Sequence, residues 1–546
     1  MDSLKIDNAL LSVYDKTGIV DFAKFLRDYD VNIVSTGGTR KVLEDNNLNV
    51  TSIEEFGGNP EIMGGRVKTL QYKVHAAILY RDEDIDELKQ HGIKPFNMVV
   101  CNFYPFQETV NSGESKEKII EMIDIGGPTM VSAAAKNYKN VAVVSDPSQY
   151  GLIEREMEET DGLLSLETRE WLASEAENKL ADYFVARANW RNSQIHGDIP
   201  DNFFLSLKKR MKLPYGENPG QEAAAYSPVG YTMGVLGWKK LGGTEPSFNK
   251  LREAAKINKL LQGFELPTAI TGKHGIISGI GMSRNGIEHA YKIAHDCDVE
   301  TNLGNETMLN RECTKTASKM IGLDLKNKWT EDLREFIGEK SSREWTVFTE
   351  GIGAPSYEDG TVDILLEKQK KKITIFQTGP YSNFPYDIRV EDGAFLMQNV
   401  ADYNKKIPRK GRWVTSMKGN EEIEDKLFLM AEVVRRIPSN GIFVGDVDIK
   451  NGEIRELRGY GIGTSTKRSG AVKMALENAG ERARSALMAS DGFFPYPDSL
   501  DIAAEYGISY IIVPEGGIRK DEVVRAANEY GIGIYFLDHS IRLFSH

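Results

Sequence analysis

The opening stretch alternates between two hydrophobic periods. The run Ala9 to Val13, apolar except for Ser12, predicts a buried strand, and after the polar turn Lys16-Thr17-Gly18 the residues Ile19, Phe22, Ala23 and Leu26 recur at helical spacing. Val31 to Val34 predict a second strand, which runs into Ser35, Thr36, Gly37, Gly38 and Thr39 before another helix. Met98 to Cys101 predict a strand ending in Asn102-Phe103-Tyr104-Pro105. A helix over Lys116 to Met122 follows, then a Gly126-Gly127 break and a helix that Pro128 can start at its first position. Such alternation implies a parallel sheet with helices on its faces, an α/β fold.

Ser165 to Trp190 read as one or two helices, and His196-Gly197-Asp198-Ile199-Pro200 has the composition of a linker. The main boundary is set there, giving domains 1–200 and 201–546, the second of which divides into two subdomains. Within the second, Asn451-Gly452 between Gly441–Ile449 and Ile454–Leu457 predicts a hairpin. The tail reads strand, glycine turn, helix, strand over Tyr510–Val513, Glu515–Gly517, Glu522–Tyr530 and Ile532–Phe536.

Composition narrows the function classes. A chain of 546 residues exceeds one ordinary core, and 40% hydrophobic with 27% charged residues is a globular balance. No apolar run spans a bilayer and no basic-then-apolar leader opens the chain, so neither a membrane nor secretion is expected and the location defaults to the cytoplasm. Cys101, Cys297 and Cys313 are too few and too dispersed for a disulfide framework or a thiolate metal site, and no metal is expected. A net charge of −12 disfavours nucleic acid as a partner, but a local anion site needs only backbone amides and one or two lysines.

Ser35 to Thr39, between a strand and a helix, is such a place, with Lys16 at the end of the neighbouring strand. Reactive side chains accompany it: Arg66 and Lys68 after a glycine pair, Tyr104 at a strand end, Asp124 before a glycine pair, and Lys136 at the end of the next helix. Strand ends of open parallel sheets gather ligands. Singly, these residues also fit a surface lysine, a packed tyrosine or a capping aspartate.

The segments SVYDKTGIV, VSTGGT, GGRVKTL, KVHAAIL, VVCNFYPF, IDIGGPTMVSAAAKN and VAVVSDP resemble, in order and spacing, the cyclohydrolase domain of the bifunctional purine enzymes that join formyltransferase and IMP cyclohydrolase activities. The resemblance implies a methylglyoxal synthase-like fold for the first 200 residues. By matching positions it implies that Lys68, Tyr104, Asp124 and Lys136 are catalytic. It implies that Ser12, Lys16, Ser35, Thr36, Gly37, Gly38 and Thr39 hold a ribose phosphate, with Arg66, Thr69, Asn102, Gly126 and Gly127 also touching the ribotide. Gln71-Tyr72 departs from the family's usual His-Pro. The implied reaction closes a formamidoimidazole carboxamide ribotide (FAICAR) to IMP and water without a cofactor. Lys68 with Tyr104 would manage protons at the formyl oxygen, and Asp124 with Lys136 would orient the carboxamide and relay its proton.

The remainder resembles the family's formyltransferase domain in YGENPGQ, Lys273-His274, APSY, PSNGIFV, GIG, MASDGFFPY and IRLFSH. That implies cytidine deaminase-like mixed α/β units, a homodimer and purine ribotide substrates. His274 would be the general base, Lys273 would stabilise the oxyanion or protonate the leaving nitrogen, and Asn440 would orient the formyl group, with Tyr215, Phe493 and Arg542 on substrate. Pro214, Gly220, Gly275 to Ser278, Asn302 to Asn305 and Thr464 to Ser469 depart from the family pattern, and Lys467 or Arg468 could replace a lost phosphate-binding arginine. Three outcomes stay open: transfer from 10-formyltetrahydrofolate with altered contacts, transfer from another formyl donor, or a scaffold that has lost the reaction. A nucleotide-sensing regulatory protein is a further alternative, which the proton-handling set Lys68, Tyr104, Asp124 and Lys136 disfavours.

Overall fold

The computed structural model describes residues 3–195, 199–298, 303–321, 348–368, 372–382 and 384–545, so His196 to Asp198 of the expected linker, Asn302 and His546 lie outside the described residues. The chain divides into two compact units, one of 1–207 with 228–230, the other of 208–227 with 231–546.

The first unit is built on a five-stranded parallel sheet: β1 (Asn8–Ser12), β2 (Asn32–Ser35), β3 (Thr51–Ser52), β4 (Met98–Cys101) and β5 (Ala142–Val144), in the order β3-β2-β1-β4-β5. All four residues of β4 are buried, as a strand covered on both faces requires. Helix α1 (Ile19–Asp28) buries Ile19, Phe22, Ala23 and Leu26, the stripe read from the sequence. Helix α2 (Gly37–Asp45) starts where β2 ends, and α3 (Tyr72–Leu79) follows the Lys68 loop. Helix α4 (Gly126–Lys136) begins two residues before Pro128, and α5 (Leu166–Ile195) is one continuous helix. Because the parallel strands all point one way, their carboxyl ends and the amino ends of α2 and α4 share one edge of the sheet.

The second unit carries, among the described residues, a 12-stranded mixed sheet. Its strands in chain order are β6 (Lys239–Gly243), β7 (Thr268–Lys273), β8 (Ile276–Ser283), β9 (Leu303–Leu309), β10 (Phe348–Ala354), β11 (Thr374–Gln377), β12 (Gly411–Trp413), β13 (Gly441–Lys450), β14 (Glu453–Thr464), β15 (Leu487–Ser490), β16 (Tyr510–Pro514) and β17 (Gly533–Leu537). They lie in the order β6-β11-β10-β9-β7-β8-β14-β13-β15-β16-β17-β12. The Asn451-Gly452 hairpin joins β13 to β14 with both turn residues at positive φ, 56° and 75°. The tail reading is met by β16, the helix over Lys520–Tyr530 and β17.

A hairpin, a helix and a strand occur twice in this unit. The first set is β7-β8, a helix over Ile287–Cys297 and β9; the second is β13-β14, a helix over Arg468–Ala479 and β15. In both sets glycines let the helix backbone close onto the second hairpin strand. A Cβ on Gly279 would lie 1.9 Å from the Ala294 carbonyl oxygen, and one on Gly463 would lie 2.0 Å from that of Ala471. Among the described residues no helix is long and apolar enough to cross a membrane.

Candidate active sites

In the first unit the expected phosphate cradle sits at the β1 and β2 ends. Thr36 Oγ1 donates to Ser12 Oγ at 2.8 Å, and no side chain caps the amino end of α2. Its first amides are therefore available to an anion, with the helix dipole behind them. Lys68 Nζ lies 3.0 Å from where a Gly37 Cβ would stand, so its ammonium is over the helix start. Lys16 is half-buried, and its ammonium, which donates to the Val13 and Tyr14 carbonyls, is held below the usual lysine range by burial and then by the Lys68 charge. Two cations and a helix terminus in one place suit an anion.

Several expected ligands are occupied by the protein itself. Ser35 and Thr39 are buried, and their hydroxyls donate to the Leu11 and Val13 carbonyls at 3.0 Å each. They fix the strand ends, and any contact they make with phosphate must come from backbone N–H. Asn102 clamps the loop before Lys16: its Oδ1 accepts from Tyr14 and Asp15 N–H at 2.6 and 2.9 Å. Arg66 forms a two-pronged pair with Glu121, at 2.7 and 2.8 Å.

Asp124 opens α4. Its Oδ1 accepts from Gly127 N–H at 2.9 Å, and a Cβ on Gly127 would lie 2.5 Å from Oδ2, so the glycine keeps that oxygen accessible. Burial pushes its carboxyl above the usual aspartate range against the hydrogen bonds of Gly127 and the Tyr104 backbone. Tyr104, whose phenol is raised by burial and by the Asp124 charge, remains a hydrogen-bond donor at neutral pH. Thr69, next to Lys68, packs on the same helix start, its Oγ1 2.3 Å from a Gly126 Cβ position. Lys68, Tyr104 and Asp124 thus share the carboxyl edge of the sheet.

Lys136 does not. It ends the 11-residue α4, roughly 15 Å from Gly126 at about 1.5 Å per residue. The adjoining Asn137 donates to the Ile78 and Tyr80 carbonyls at 2.8 Å each, and the Tyr80 hydroxyl accepts from Asn97, the residue before β4. That is the opposite edge of the sheet, so the expected Asp124–Lys136 relay is not formed.

In the second unit Lys273 ends β7 and His274 forms the turn into β8. His274 has φ 56°, a left-handed conformation that costs an ordinary side chain roughly 1–2 kcal/mol. Lys273 Nζ and Glu350 Oε1 lie 3.6 and 3.2 Å from a Gly304 Cβ position. Asn440 donates to the Ser465 and Thr466 carbonyls at 3.0 and 3.1 Å and, with the exposed Phe493 ring, lines a cavity of about 440 Å³. The hairpin turn and Asn440 occupy one edge of the sheet, three inter-strand spacings apart, or roughly 14 Å at about 4.8 Å each. Arg468, in the cavity wall, pairs with the buried Asp491, which takes up its charge; it is not displayed as a spare phosphate ligand. Tyr215 is exposed, and Arg542 donates to the Ile541 carbonyl at 3.3 Å.

Comparison with known proteins bears on both units. Residues 18–129 match the model of the MGS-like domain, and residues 134–478 match that of the AICARFT/IMPCHase bienzyme. The chain is 37% identical to the bifunctional purine biosynthesis protein PurH of Acetivibrio thermocellus over 555 residues, covering 99% of this chain and 100% of the relative. It is 36% identical to that of Corynebacterium glutamicum (100% and 99% covered) and 32% identical to that of Bacillus subtilis (100% of each). This chain belongs to the AICARFT/IMPCHase bienzyme family. The family joins IMP cyclohydrolase to AICAR formyltransferase in purine biosynthesis and so requires a formyl donor. Among solved structures, the crystal structure of ForH is 31% identical over 34% of this chain and 97% of its own, with a TM-score of 0.30.

Within this bienzyme site, sequence reasoning missed four residues. Tyr183 accepts from Asp124 N–H at 2.6 Å, and Arg187, 5.5 Å over the Tyr183 ring, adds a positive charge near Asp124. Their i,i+4 spacing on α5 was the available signal. Tyr14 meets Tyr104 edge-on at 5.4 Å. Gln71 donates to the Lys68 carbonyl at 2.8 Å and accepts from Asn59 at 3.0 Å, so the departure from His-Pro supplies its own brace for the lysine loop.

Proposed function

We propose that the first unit closes FAICAR to IMP at the Lys68–Tyr104–Asp124 edge, and that the second formylates AICAR from 10-formyltetrahydrofolate through Lys273, His274 and Asn440. The observation that carries the first half is that Tyr104 and Asp124 stand at the carboxyl edge of the sheet, the edge where Lys68 and Lys16 place their ammonium groups by the uncapped start of α2. The ribose phosphate takes the α2 amides and Lys16. The carboxamide nitrogen attacks the formyl carbon while Lys68 and the Tyr104 phenol donate hydrogen bonds to the oxygen as charge builds. The C–O bond then breaks, and the oxygen leaves as water with one proton from the carboxamide nitrogen and one from the formamido N–H, whose nitrogen forms the ring C=N bond. Asp124, with its raised carboxyl, takes the carboxamide proton; no second lysine is needed.

Support for the donor half is the Asn440 cavity, whose wall includes the aromatic side chains Phe493, Tyr496 and Phe544, a lining suited to a flat heterocycle. Domain boundaries at about residue 200, a homodimer and a cytoplasmic location complete the reading; light scattering of the full chain checks the dimer. The activities are tested by following IMP absorbance from FAICAR alone and from AICAR plus 10-formyltetrahydrofolate. IMP is expected in both reactions. IMP from FAICAR alone reduces the second unit to a scaffold or points to another donor, and no IMP in either overturns the proposal.

A further inference from the structure

The hairpin between β7 and β8 reverses over two residues, His274 and Gly275, with Lys273 paired to Ile276. Both turn residues have positive φ, 56° and 73°, which defines the mirror-image turn that normally selects Asn, Asp or Gly at its first position. Histidine is among the side chains that tolerate positive φ, so the turn can display an imidazole at its first position.

One side chain from outside the hairpin holds it. Glu253, on the helix α6 (Phe248–Leu260), accepts from His274 N–H through Oε2 at 2.7 Å, and its Oε1 lies 3.4 Å from His274 Nδ1. The Glu253 side chain is 19% exposed and the imidazole 77%, so the carboxylate is fixed at the back of a ring whose other edge is open. A carboxylate behind Nδ1 favours the tautomer with the proton on that nitrogen and leaves Nε2 as the acceptor.

We propose that Glu253 is a positioning residue for formyl transfer. It steadies the left-handed turn through the backbone contact and sets the His274 tautomer through the ring contact. This rests on the reading of His274 as base. In the step it serves, the AICAR amine nitrogen bonds to the formyl carbon and its proton passes to His274 Nε2. The bond from that carbon to the donor nitrogen breaks, and the donor nitrogen is protonated by Lys273.

Glu253→Gln in the full chain separates the two contacts, because an amide oxygen still accepts from the turn while the charge facing Nδ1 is gone. The expected result is a fall in formyl-transfer kcat of roughly 10- to 100-fold, part of the ~10²–10⁴-fold that a positioned base supplies. KM for AICAR should stay within about twofold, FAICAR closure by the same preparation should be unchanged, and Glu253→Asp should recover part of kcat. Glu253→Gln added to His274→Ala should cost nothing further, because the pair acts as one unit. An unchanged kcat in Glu253→Gln, or full additivity with His274→Ala, overturns the positioning role while the base reading stands. Wild-type transfer by His274→Ala overturns the base reading, and no transfer by the wild type overturns both.

Discussion

The Lys68 loop is braced by one side chain, Gln71, through its bonds to the Lys68 carbonyl and to Asn59. Gln71→Glu keeps the size and the acceptor for Asn59 but replaces the donor by a second acceptor facing a carbonyl. A lost hydrogen bond is worth about 0.5–1.5 kcal/mol, so FAICAR closure should fall by roughly three- to tenfold in kcat. An unaltered kcat in steady-state IMP assays would show that the loop does not depend on this brace. The sequence marked Gln71-Tyr72 as an oddity of the loop. It could not show Asn59 as the partner, because a contact across 12 residues of irregular backbone exists only once the loop is closed. The sequence could single out Lys68, Tyr104 and Asp124 because the first follows a glycine pair, the second ends a strand and the third precedes a glycine pair, positions that the surrounding pattern fixes. It could not single out Tyr183, because its role depends on which face of a 30-residue helix turns toward Asp124.

At the level of elements, β9 holds an unusual group. Glu306 is buried, its Oε2 has no hydrogen-bond partner among the described residues, and burial pushes its carboxyl well above the usual glutamate range, with Lys250 opposing. A carboxyl raised on folding contributes stability that is fully present below the unfolded-chain value and is lost as pH rises through the folded value. Glu306→Gln removes that loss. In thermal melts the variant should gain a few degrees over wild type at about pH 9 and little at about pH 5; a gap independent of pH would mean that the carboxyl does not titrate as its burial requires. Buried charge on a strand cannot be read from alternation alone, since β9 lies within a sheet whose neighbours decide what each face meets. Helix length, by contrast, was readable. Gly126 to Lys136 spans about three turns, enough to carry a lysine from one edge of a parallel sheet to the other.

For the whole molecule, the period of the apolar positions foretold the parallel sheet of the first unit, the Asn451-Gly452 hairpin and the tail. The order of the 12-stranded sheet was out of reach, because β9 and β10 pair across residues 310–347 and the repeated hairpin-helix-strand sets share spacing more than residues. If ring closure belongs to the carboxyl edge of the small sheet, it needs Lys68, which sits there, and not Lys136, which does not. Measuring IMP formation from FAICAR by Lys68→Ala and Lys136→Ala, side by side with wild type, tests it directly. The expected result is a loss of roughly 10³-fold for Lys68→Ala, in the range that removal of one oxyanion donor costs, and activity within about twofold of wild type for Lys136→Ala. Near-wild-type closure by Lys68→Ala, or a comparable collapse in Lys136→Ala with the fold intact by circular dichroism, would contradict it.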